Sequence, residues 1–205
     1  MSNGIKRLCI DNEENMPISA FSAAFPERMN NVTILDMGRI DGLSPGLLEK
    51  LAQCFPNVEV LNLIGTEMTC SQEEMRVLGK VFFGENAFRK IRHFICGQYT
   101  SIPYSDQFAE DLFYGALWRW KRPLELLALP VGPPRSGIIS SAPFFESLTV
   151  LQLLCFQDDD DYQFISKLTN LRELHTSGLH ATDDALLELK VNTKHEYFYA
   201  FFTKM

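Results

Sequence analysis

The chain has 205 residues, of which 46% are apolar, 22% charged and 12% aromatic. That is enough for one domain with a sizeable core, and it excludes disorder, a collagen-like fibre and a disulfide-stapled miniprotein. Nineteen Lys and Arg against twenty-six Asp and Glu leave a net charge of −7, which argues against broad attraction to nucleic-acid phosphates or anionic membranes.

Residues 1–16 contain no apolar run of signal-peptide length, and no segment approaches the roughly 20 apolar residues of a membrane span. The cysteines, Cys9, Cys54, Cys70, Cys96 and Cys155, are odd in number and lack metal-ligand spacing, as suits free thiols in a reducing compartment. These features predict a soluble cytoplasmic or nuclear protein without membrane contact.

Along the chain, one pattern recurs: apolar-x-x-apolar-x-apolar. It occurs at Ile5-Leu8-Ile10, Val32-Leu35-Met37, Val58-Leu61-Leu63, Ile91-Phe94-Cys96, Leu124-Leu127-Leu129 and Leu148-Leu151-Leu153, and, with a polar last member, at Leu171-Leu174-Thr176. Successive starts lie 27, 26, 33, 33, 24 and 23 residues apart. One such match arises by chance about one time in ten in a chain this apolar, so the signal is the series and what lies between its members.

Between hexads the period turns helical. Residues 44–55 read as a helix, with a Ser cap, Pro at the first helical position, and Leu47, Leu48, Leu51 and Phe55 on one face. Residues 69–83 repeat the scheme, with Glu73 and Glu74 in the first turn, where the helix dipole favours acids. Residues 106–120, 158–168 and 182–189 do so again, whereas 136–147 is shorter and less regular. A strand–helix unit of this length cannot bury its apolar face alone and must stack on its neighbours.

The alternation, together with LNL at 61–63, LQL at 151–153, FPNVEVLNL and LTNLRELHTSGL, resembles the leucine-rich repeat family in its long helix-containing form, as in ribonuclease inhibitor and the repeat domains of F-box adaptors. The resemblance covers residues 5–189. It implies an α/β right-handed solenoid, a horseshoe of about seven irregular repeats spanning 1–205 as one domain, with a parallel sheet on the concave face and helices on the convex face. The family usually has Asn or Cys at the ninth repeat position. Here those positions hold Glu13, Ile40, Thr66, Tyr99, Gly132, Phe156 and Leu179, which predicts irregular turns without an asparagine ladder.

Catalytic chemistry has no positive signature. His93, His175, His180 and His195 are too dispersed for a metal or nucleophile motif, and neither a phosphate-binding loop nor a nucleophile elbow is present. The run Asp158 to Asp161 lacks calcium-loop spacing and reads as a helix N-terminus. Trp118, Arg119, Trp120, Lys121 and Arg122 could stack nucleobases, yet basic side chains ending a helix account for them equally well. The reading is of a non-enzyme, without cofactor or metal.

Strand phase gives a sharper expectation. If the fourth and sixth hexad residues face the core, the third, fifth and seventh project from the opposite face of the sheet. The four middle triplets, from Val60 to Leu154, contain no Asp, Glu, Lys or Arg. An uncharged centre with charged ends suits a protein-binding surface, and Val60, Asn62, Ile64, His93, Ile95, Leu126, Gln152 and Leu154 are the candidate partner-binding residues. The expected function is a non-catalytic protein–protein interaction module or assembly subunit. The alternatives are a ubiquitin-ligase substrate adaptor lacking its own F-box and a nucleic-acid-binding repeat protein. The first hexad begins at Ile5, which predicts an open N-terminal sheet edge able to contact a partner. The aromatic segment 190–205 reads as a C-terminal cap of the last repeat or as a second partner contact.

Overall fold

A computed structural model describes residues 4–10, 28–38, 40, 44–64, 66, 88–96, 122–129, 146–153, 165, 168–177 and 197–201. The helices expected at 69–83, 106–120 and 182–189, most of 136–147 and of 158–168, the acidic run, the tryptophans and Leu154 lie outside these residues. The chain divides into two compact units, Met1–Leu117 and Trp118–Met205.

In the first unit, β1 (Arg7–Cys9), β2 (Ile34–Asp36), β3 (Val60–Leu63) and β4 (His93–Cys96) follow chain order, each pairing parallel with the next. In the second unit, β5 (Leu126–Leu129), β6 (Val150–Leu153), β7 (Glu173–Ser177) and β8 (Tyr197–Phe201) do the same. Parallel neighbours need a crossover between them, so the strands with helix α1 (Pro45–Cys54) between β2 and β3 give the chain its α/β character. The seven hexads account for β1 to β7. The eighth strand falls in the aromatic tail, with Tyr197 in register with Glu173.

From the second hexad on, hexad phase matches burial; in the first, Leu8 and Ile10 are half-buried and Ile5 is exposed. Leu35, Leu61, Leu63, Leu127, Leu151 and Leu174 are fully buried, and Phe94, Leu129 and Leu153 nearly so. Strands β3, β4 and β7 are each entered through a tight turn whose last N–H donates to the carbonyl three residues back: Val58 to Phe55 (3.4 Å), Ile91 to Phe88 (3.4 Å) and Leu171 to Leu168 (3.1 Å). Both ends of these three turns are buried apolar residues, so each turn is pinned into the core at two points.

The turns are stitched together by polar side chains. Asn57 Nδ2 donates to the Asn30 carbonyl (2.8 Å), and Asn170 Nδ2 to the Glu146 carbonyl (2.6 Å). Ser147 Oγ accepts from the Leu124 N–H and donates to the Leu124 carbonyl, both at 2.9 Å. The side-chain ladder therefore runs at the entrance of the strands, through residues directly preceding a hexad. At the ninth position, buried Thr66 donates its hydroxyl to the Met37 carbonyl (2.5 Å), supplying for one turn the backbone partner that an Asn would give.

Helix α1 follows its sequence signals closely. Ser44 is extended (φ −93°, ψ 156°), its Oγ accepts from the Leu47 N–H (3.4 Å), and Pro45 opens the helix. Leu47, Leu48, Leu51 and Ala52 are buried, as is Phe55 beyond its end, where the Phe55 N–H donates to the Leu51 carbonyl (2.8 Å).

Candidate functional site

The side chains opposite the core define one exposed face in each unit. In the first, register aligns Arg7, Ile34, Val60 and His93 in one row, and Cys9, Asp36, Asn62 and Ile95 in the next. Val60, Asn62, His93 and Ile95 are half-buried, as expected for residues standing side by side on a pleated surface. Ile64, just past β3, is 57% exposed, one of two large apolar side chains so open among the described residues; the other is Ile5.

In the second unit the rows are Leu126, Val150 and Glu173, then Ala128, Gln152 and His175, and the backbone register continues from Glu173 to Tyr197 and from His175 to Tyr199 of β8. Leu126, Val150 and Gln152 are half-buried. Ala128, expected to project on the same phase, is covered: it is only 6% exposed. Its single methyl group stands lower than longer neighbours such as Gln152, its register partner. Seven of the eight candidate contact residues thus lie on these faces, five in the first unit and two in the second; Leu154 is outside the described residues.

Charge is confined to particular strands. Arg7 on β1 pairs with Asp36 on β2 (Nη2 to Oδ2, 2.8 Å). Asp36 raises the pKa of the Arg7 guanidinium above its ordinary value, mainly through this hydrogen bond, with a further contribution from Cys9. The other Asp36 oxygen accepts from Asn62 Nδ2 (3.0 Å), and Asn62 Oδ1 accepts from the Ile64 N–H (3.1 Å). A polar chain therefore crosses three strands and ends at the backbone of the most exposed isoleucine of the face. On β7, His175 Nε2 lies 3.5 Å from Glu173 Oε2.

Strand phase places Arg7, Asp36 and Asn62 on the face opposite the core without relating them to one another. Their linkage required register, which places Asp36 beside Asn62 although they are 26 residues apart. The eighth strand did have a signal: Tyr197 follows Glu173 by 24 residues, the spacing of the preceding repeats.

Among the described residues, no three His, Cys, Asp or Glu side chains come together as metal ligands. Among the described residues, Cys9, Cys54 and Cys96 form no disulfide. No helix among the described residues is long and apolar enough to cross a membrane. The sequence matches no protein-family model, and no curated protein matches it either.

Proposed function

We propose that this chain is a non-catalytic protein-interaction module of the leucine-rich repeat type, which binds a protein partner in the cytoplasm or nucleus through the exposed faces of its parallel strands. The observation that carries the reading is the character of those faces. From β3 to β4 and from β5 to β6 they offer Val60, Ile64, Ile95, Leu126 and Val150 with only Asn62, His93 and Gln152 as polar members, and no Asp, Glu, Lys or Arg. Apolar surface bordered by polar and charged residues is the make-up of an interface core with its rim. The dispersal of the histidines and the absence of a catalytic motif support a binding role over a chemical one.

Affinity capture with the full chain, followed by mass spectrometry and comparison with Ile95→Asp, tests the reading. A carboxylate in the middle of an apolar contact is desolvated without a partner, so a genuine interface loses its protein there. Recovery of ubiquitin-ligase components would specify an adaptor role. Salt-sensitive recovery of RNA or DNA in place of protein would refute the proposal.

A further inference from the structure

We infer that the first unit recognises a polypeptide segment carrying an apolar side chain two to three residues from an acidic one, the apolar group seated on Gly38 and Ile64 and the acid on Arg7. This rests on the reading of the sheet face as a protein-binding surface and names the ligand chemistry of one part of it.

The seat is a gap in the row of side chains. Gly38 lies two residues beyond Asp36 and beside Ile64, and a Cβ built on Gly38 would lie 3.7 Å from the Ile64 carbonyl oxygen, in ordinary contact. Glycine places no side chain of its own beside Ile64, which stands 57% exposed. The exposed flank is apolar, and its backbone is held in place: the Ile64 N–H donates to Asn62 Oδ1, and Asn62 is fixed in turn by Asp36. A surface prearranged in this way loses little conformational freedom on binding.

The charge beside the seat sets the partner's sign. The Arg7 side chain is 61% exposed while that of Asp36 is 22% exposed, so the cation of the pair faces outward and the carboxylate is partly covered. Asp36 also spends its second oxygen on Asn62. An approaching chain therefore meets the guanidinium, whose planar fork of donors matches a carboxylate. Strand spacing and rise put Asp36 and Ile64, one strand apart and offset by two residues, about 8 Å from each other, with Gly38 about 7 Å from Asp36. Two to three residues of an extended peptide span that distance.

The probe is a displayed random-peptide library selected on the full chain, followed by synthesis of the enriched peptides and titration against variants. Enriched peptides should share an aliphatic or aromatic residue two to three positions from Asp or Glu. Gly38→Val fills the seat without adding charge and should weaken them by about tenfold, as should Ile64→Asp, with unchanged melting in each case. Arg7→Gln should weaken the acidic peptide about threefold and leave its amide counterpart unaffected, while Arg7→Lys retains the preference. Absence of enrichment, or peptides indifferent to Gly38→Val, Ile64→Asp and Arg7→Gln, overturns the inference. If such indifferent peptides are displaced by Ile95→Asp, the face remains the binding surface and only this seat is wrong. If Ile95→Asp has no effect either, both readings fall.

Discussion

Leu61→Ala probes the packing on which every face assignment depends. Leu61 is fully buried on β3, its register partners are Leu35 on β2 and Phe94 on β4, and these are 0% and 1% exposed. Truncation removes about three carbons at roughly 0.8 kcal/mol each, near 2.4 kcal/mol, before any cavity contribution. Neighbours held on both sides by backbone hydrogen bonds cannot close the void, so the total should fall at about 3–4 kcal/mol, within the range for buried leucines. Urea unfolding followed by circular dichroism measures it, with the slope of the transition unchanged. Val60→Ala, one residue away on the opposite face, should cost less than about 1.5 kcal/mol, because Val60 is only partly buried and loses two carbons instead of three. Equal losses, or a larger loss at Val60 than at Leu61, would show that the strand phase is inverted and that core and binding face must be exchanged.

The start of α1 gives two opposite effects. Gly46→Ala should stabilise by about 0.4–1 kcal/mol, since a Cβ there meets no atom within 4 Å, whereas Ser44→Ala should cost about 1 kcal/mol through loss of the cap to the Leu47 N–H; urea midpoints report both. Thr66→Val keeps the shape but leaves the Met37 carbonyl without its hydroxyl donor, for a cost of about 1–3 kcal/mol, and Thr66→Ser should lose less than half of that.

The parts of the fold legible in the sequence are those where a single residue type has one physical use. Alternation of Leu61, Asn62 and Leu63 can only be a half-buried strand, and Ser44-Pro45 before an apolar stripe can only open a helix, so β1 to β7 and α1 follow from pattern alone. The eighth strand hides because its segment, Tyr197–Phe201, is apolar or aromatic at every position, with no polar residue to mark the alternation; spacing from Glu173 was the remaining clue. The turn anchors were also in view: Phe55, Phe88 and Leu168 each stand three residues before a hexad, and a tight turn with two buried ends requires that interval.

The candidate site was legible as a set of positions and not as an arrangement. Projection of Val60, Asn62 and Ile95 follows from phase, because successive strand residues alternate faces. The linkage of Arg7, Asp36, Asn62 and Ile64 depends on parallel register between strands 26 or 27 residues apart, which periodicity leaves free by a residue. The cover over Ala128 depends on the relative height of its neighbours, which a one-dimensional pattern does not contain.

The most direct test of the binding role compares capture by three forms of the full chain: unaltered, Ile95→Asp, and Glu49→Lys on the exposed side of α1. Each is first shown by urea unfolding to be folded under the capture conditions, because Ile95 is half-buried and its replacement costs some stability. The expected result is a protein partner recovered at equal yield by the unaltered chain and Glu49→Lys and lost with folded Ile95→Asp. Undiminished recovery by folded Ile95→Asp contradicts the assignment of function to this face.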